Sequence, residues 1–216
     1  MIELEVTRSS INFPRNMQAR VAHALARRTL QEDVRNELDA LTTAGDSFRT
    51  SLSTTTLDWM MTKYSEQLVF NPRREIEHWF AYDSGAYLDP GYPPLFYQAD
   101  RRKGPSPNKS AVAAIGEGVA GFLAQRVYGC RKLARPNHDC PDIVMEANNT
   151  TYLVEAKASL GGNAADAISE NKLSFVSLTA TSAILDVRPV RGLLVSTSIA
   201  LEDSYRIHIL EVNAVS

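Results

Sequence analysis

The chain has 216 residues, of which 44% are hydrophobic and 22% charged, and its net charge is -2. That composition suits a globular fold with a real core, and it excludes a polycation that binds nucleic acid through its whole surface. No stretch approaches the roughly 18 apolar residues of a membrane span. The first 20 residues carry Glu3, Glu5, Arg8, Arg15 and Arg20 without an apolar run, which predicts no secretory signal. Two cysteines, Cys130 and Cys140, do not make a disulfide framework, so the expectation is a cytoplasmic protein with reduced thiols.

Along the chain, Ile2 to Val6 alternates apolar and acidic residues, as a short strand does. Pro14 can open a helix. From Met17 to Leu41 the spacing of Val21, Leu25, Leu30, Val34, Leu38 and Leu41 predicts a helix, with Gly45 as its stop. Further helices are predicted over Thr56 to Val69, ended by Asn71-Pro72, and over Arg73 to Tyr82. Residues 83–109 hold Gly85, Pro90, Gly91, Pro93, Pro94, Gly104, Pro105 and Pro107 and read as a long loop. The expected organisation is therefore an N-terminal helical region over 1–109, serving dimerisation or substrate recognition, and a core over 110–216.

In the core, residues 111–128 predict a helix whose glycines let it approach a sheet closely. A strand at about 129–135, a strand Asp142 to Ala147, a turn at Asn148-Asn149 and a strand Thr150 to Ala158 follow. Then come a break at Gly161-Gly162, a helix over Ala164 to Leu185, and strands Gly192 to Ser198 and Tyr205 to Val212. This order implies an α/β fold with one central mixed sheet.

The chemistry concentrates in Pro141-Asp142-Ile143-Val144 and Leu153-Val154-Glu155-Ala156-Lys157. Side chains alternate along a strand, so Glu155 and Lys157 point to one face. An acid and a base inside an apolar strand are costly to bury unless they are paired or used. A hairpin through Asn148-Asn149 sets Asp142 beside Glu155. Two adjacent carboxylates repel unless a cation lies between them. Mg²⁺ takes oxygen ligands and commonly binds through one or two carboxylates plus a substrate phosphate. The competing reading is a surface ion pair of Glu155 with Lys157 on a half-exposed strand.

Pro141-Asp142, twelve intervening residues and Glu155-Ala156-Lys157 together resemble the signature of the PD-(D/E)XK nuclease superfamily, over about residues 110 to 213. The resemblance implies a restriction endonuclease-like three-layer core, a central mixed sheet flanked by helices, here with an N-terminal helical region added. It implies Asp142 and Glu155 as metal ligands, Lys157 as the catalytic lysine, and Glu117, on the first core helix, as a supporting ligand. Mg²⁺ is the implied cofactor, with Mn²⁺ as a substitute. Some exonuclease-like members carry a Gln and Tyr motif on the helix after the lysine. Glu170, Asn171 and Lys172 stand there instead, which argues against that branch.

The implied function is a DNA endonuclease of restriction, phage defence or repair, as a homodimer or as a subunit of a larger complex. The alternative is a catalytically inactive nuclease-fold module that binds nucleic acid or serves as a subunit of a larger complex. Between residues 101 and 135 stand eight basic residues and one acid, Glu117. Of these, Arg101, Arg102, Lys103, Lys109, Arg131, Lys132 and Arg135 are candidate phosphate contacts, against the plainer reading of a solvated face. Aromatic residues including Trp59, Trp79, Phe80, Tyr82, Tyr87, Tyr92, Phe96 and Tyr97 either stack on bases or, as the better expectation, pack against the core or a second subunit. His138, Asp139, Cys140 and Cys130 hint at zinc, but without a CxxC pair the cysteines read as core residues. Ser196 and Ser198 lack a nucleophile-elbow frame, and no GxxxxGK[ST] phosphate loop is present.

Overall fold

The computed structural model describes residues 1–65, 71–83, 108–136 and 140–215. Among the described residues, seven strands form one mixed sheet in the order β2-β1-β7-β6-β5-β4-β3, with helices on both faces. The strands are β1 (Ile2–Pro14), β2 (Thr42–Leu52), β3 (Arg131–Ala134), β4 (Ile143–Ala147), β5 (Thr150–Leu160), β6 (Val190–Leu201) and β7 (Ser204–Val215). The helices are α1 (Arg15–His23), α2 (Arg28–Leu41), α3 (Thr54–Tyr64), α4 (Pro72–Asp83), α5 (Lys109–Tyr128) and α6 (Ala164–Leu185). β1 runs parallel to β7 and β5 parallel to β6, and every other neighbour pair is antiparallel. The arrangement is a three-layer α/β fold.

Strand alternation separates two cores. On one face Leu4, Val6, Val154, Val195, Ile207 and Ile209 pack with Leu57 and Met61 of α3, Ile76 of α4 and Ile115, Val119 and Leu123 of α5. On the other, Ile11, Phe13, Leu153, Leu194 and Val212 pack with Val21 of α1, Val34 and Leu38 of α2 and Ile168, Phe175 and Val176 of α6. A charged residue next to Leu153 or Val154 therefore faces a definite layer.

The elements after residue 108 sit where the sequence predicts them, and both late strands are longer than expected. Asn108 caps α5 through its Oδ1, which accepts from the N–H of Ser110 and of Ala111. Gly129, with φ of 65°, ends it in the left-handed conformation. Asn148 and Asn149 both have positive φ, 48° and 59°, as a tight hairpin turn of this twist requires.

The N-terminal expectation needs correction. The first strand continues to Pro14 and joins β7 in parallel, and residues 42–52 form the edge strand β2 rather than a stop and loop. The N-terminal residues thus belong to the central sheet and are not a purely helical region. β2 escaped notice because its burial does not alternate, most of its residues being exposed on both faces. The single helix expected over Met17 to Leu41 is two helices joined by a 3-10 turn at Ala24–Ala26. No Gly or Pro marks that break; the bend lets Val21 and Ala24 as well as Val34 and Leu38 reach the same core. The predicted loop at 83–109 and the end of the second predicted helix at Val69 lie largely outside the described residues.

The glycines of α5 do what their spacing suggests. A Cβ on Gly116 would stand 2.6 Å from the Ala158 Cβ of β5, and one on Gly121 would stand 2.2 Å from the buried Tyr64 ring. The helix therefore lies directly on the strand that carries Glu155 and Lys157. Gly116→Ala should destabilise the protein by about 1–3 kcal/mol through overpacking, beyond the gain of up to about 1 kcal/mol in helix propensity. Urea denaturation measures this, and an unchanged or raised stability would contradict the close contact.

Candidate active site

The site forms where β4 begins against the middle of β5. The register pairs Ile143 with Val154, so the next residue back, Asp142, lies across from Glu155. Two hydrogen bonds tie the pair together in opposite directions. The Asp142 N–H donates to Glu155 Oε2 at 3.2 Å, and the Ala156 N–H donates to Asp142 Oδ2 at 2.7 Å. Lys157 Nζ donates to Glu155 Oε1 at 2.6 Å. The peptide bond before Pro141 is cis. Asp142, Glu155 and Lys157 are therefore gathered at one point, as the strand argument expected.

Burial decides the character of this group. The Glu155 side chain is only 4% exposed, whereas that of Lys157 is 37% exposed. A simple surface ion pair is thus the wrong description, because the carboxylate is taken out of water and held by a backbone amide and an ammonium. Burial, then the nearby charge of Glu155, pushes the Asp142 carboxyl up to about 6, against the Ala156 amide, which lowers it. For Lys157, burial alone would lower the ammonium, but the hydrogen bond and charge of Glu155, aided by Asp142, outweigh it and the value rises. Lys157 is hence held protonated, as a donor rather than a base.

Glu117 is placed differently. Alternation puts Glu155 on the Leu153 face, whereas α5 packs on the Val154 face. Both Glu117 oxygens accept from the Arg135 guanidinium, at 3.0 and 3.2 Å. Its charge still contributes to raising Asp142. Among the described residues, no three His, Cys, Asp or Glu side chains are grouped so as to hold a metal ion. Of the four expected site residues, the structure joins three and leaves Glu117 nearby but engaged elsewhere. What remains for a divalent cation is the pair Asp142 and Glu155. This fits the habit of Mg²⁺ to take one or two carboxylates and fill its other positions from water and substrate. A further polar atom lies close by: Ser196 pairs in register with Lys157, is 1% exposed, and its Oγ has no hydrogen-bond partner among the described residues.

The other candidates separate clearly. Arg101, Arg102, Lys103 and His138 lie outside the described residues. Lys109 is exposed at the start of α5, and Arg131 pairs with Glu146. Lys132 Nζ donates to the Lys63 carbonyl at 2.6 Å, and Arg135 donates to the Tyr64 carbonyl as well as to Glu117. Burial raises the Cys130 thiol to about 11; burial, then Glu155, raises Cys140 to about 12. Neither is a thiolate at neutral pH, as expected of core cysteines. A cavity of about 570 Å³ lined by Arg15, Gln18, Asp186 and Arg188 contains none of these residues. Sequence reasoning missed the Arg135–Glu117 fork, since the two sit on different elements and only the basic run hinted at Arg135.

The raised Asp142 has a definite signature in metal-free protein. The folded state binds this proton more tightly than the unfolded chain, so its contribution favours folding at low pH and is lost as pH rises from about 4 through about 6. Asp142→Asn keeps an acceptor for the Ala156 N–H without the charge. It should be more stable than wild type at pH 8, by at most about 2–3 kcal/mol, with the difference vanishing near pH 4. Urea titrations across that range measure it; a difference independent of pH would show that the carboxyl is not perturbed.

No protein family matches this chain, and no match is found among curated proteins or among solved structures.

Proposed function

We propose that the chain is a Mg²⁺-dependent DNA endonuclease of restriction endonuclease-like fold, acting at the Asp142–Glu155–Lys157 site. One observation carries this reading: two carboxylates are locked side by side, with an ammonium two residues on from one of them, and the carboxyl of Asp142 is pushed up to about 6. That is the state of a carboxylate pair short of positive charge. Asp142 and Glu155 would hold the cation, which when bound supplies acidification of a water and neutralisation of phosphoryl charge. Lys157, held protonated and partly exposed, is suited to donate a hydrogen bond to a phosphate oxygen or to orient the attacking water. Ser196, beside it on the same face, offers a buried hydroxyl that a water or substrate oxygen would satisfy. A homodimer would bring two such sites to the two strands of a duplex.

A second reading is favoured by a specific observation. The Arg135 fork already neutralises Glu117, and no three-ligand group stands ready among the described residues. The chain would then be a nuclease-fold module that binds nucleic acid without cutting it, alone or within a larger complex.

Cleavage of supercoiled plasmid in Mg²⁺ separates the two. The nuclease reading expects nicking or linearisation by wild type, with Asp142→Asn and Lys157→Ala each reducing the rate by at least about 100-fold. Equal rates in all three proteins would eliminate this site. No cleavage by wild type, with no Asp142-dependent Mg²⁺ heat in calorimetry, would favour the non-catalytic module.

A further inference from the structure

An aromatic ring and a set of cations lie together on the α5 side of the molecule, outside the carboxylate pair. Trp59 on α3 is 67% exposed, so it does not pack in the core of this chain. Lys63 follows one turn later on the same face of the helix. Its Nζ lies 5.3 Å from the Tyr64 ring centroid, and Lys132 Nζ lies 5.5 Å from the same centroid. Lys132 and Arg135 are anchored on the last carbonyls of α3, those of Lys63 and Tyr64. Arg135 then reaches Glu117, whose charge is felt at Asp142. A connected line of groups runs from the open face of α3 to Glu117 on α5.

The helix terminus explains part of this. Cations are favourable at the negative end of a helix dipole. It does not explain the rest. Among the described residues, Lys63 and Lys132 add two positive charges beside the paired Arg135 and Glu117, while the neighbouring Asp58 is taken by Arg73 at 3.3 Å. Burial and then the charges of Arg135 and Lys63 disfavour the ammonium of Lys132, so the crowding carries a cost that an anion would relieve. The Trp59 indole, exposed one turn from Lys63, is a flat apolar face open to stacking. Phosphates spaced along a chain, with bases free to stack, match both features. Bases present their faces to a protein only when unpaired.

We propose that Trp59, Lys63, Lys132 and Arg135 form a track for an unpaired DNA strand that leads to the Asp142–Glu155 site. The destination of the track rests on the nuclease reading; the binding itself does not. Trp59 stacks on a base, Lys63 and Lys132 hold successive phosphates, and Arg135 marks the junction with the carboxylates.

Fluorescence anisotropy with a fluorescein-labelled oligothymidine strand, in EDTA, tests the track without any metal chemistry. Trp59→Ala should weaken binding about tenfold. Lys63→Gln/Lys132→Gln should flatten the slope of log K against log salt by about 1.4, while Lys63→Arg/Lys132→Arg keeps it. Arg49→Gln, on the far edge strand, should change nothing. Wild-type affinity and slope in the glutamine pair, no binding by wild type, or a preference for duplex DNA or for the equivalent RNA strand would each overturn the proposal. A protein that binds the strand as described but never cuts would sink the nuclease reading and leave the track standing. A protein that cuts, with binding indifferent to these substitutions, would do the reverse.

Discussion

Two hydrogen bonds cross between the entry to β4 and the middle of β5, one from the Asp142 amide to the Glu155 carboxylate and one from the Ala156 amide to the Asp142 carboxylate. Each side chain thereby replaces a rung of the backbone ladder and is fixed by the other strand. Neither carboxylate can turn away without leaving a part-buried N–H unsatisfied, at a cost of up to about 1–3 kcal/mol. Repulsion between the two acids is therefore held in place by the sheet. Everything else at the site follows from that constraint: the lysine drawn onto Glu155, the raised carboxyl of Asp142, and the need for the hairpin to turn tightly at Asn148-Asn149.

The tight turn also explains why this part was legible in the sequence. Alternation along Leu153 to Lys157 assigned Glu155 and Lys157 to one face, and the Asn-Asn pair set the register that brings Asp142 opposite. Both are local signals, read over a few residues. Long helices with caps, such as α5 after Asn108 and α6 after Asn163, were legible for the same reason. β2 was not, because an edge strand that exposes both faces has no hydrophobic period to read, and the parallel union of β1 with β7 is a contact between the two ends of the chain. The extent of the sheet therefore could not be inferred from any one window.

Glu117 shows a different limit. Its place on the first core helix was readable, and its distance from Glu155 was not, since that depends on which face α5 covers. Gly116 presses on Ala158, so the helix rides the Ala156–Ala158 side of β5 while Glu155 and Lys157 look the other way. The charge of Glu117 reaches Asp142, at the open start of β4, but its oxygens are turned to Arg135.

The resulting charge pattern is ordered. Glu155 has Lys157 and Glu117 has Arg135, one acid–base pair on each side of β5. Asp142 sits between them, and its close carboxylate contact among the described residues is a backbone amide rather than a cation. Burial and two flanking acids then act on it together and push its carboxyl up to about 6. A divalent ion would thus gain most at Asp142, where positive charge is most lacking, and it would compete with Lys157 at Glu155 and with Arg135 at Glu117. Of those two contests the first is the easier, because Lys157 is partly in water and its stem is flexible, whereas Arg135 is held in a fork and also anchored to the Tyr64 carbonyl. On the proposed reading a two-carboxylate site at Asp142 and Glu155 would be the economical arrangement for this fold, with Glu117 acting on it through its field while Arg135 keeps its place beside α3.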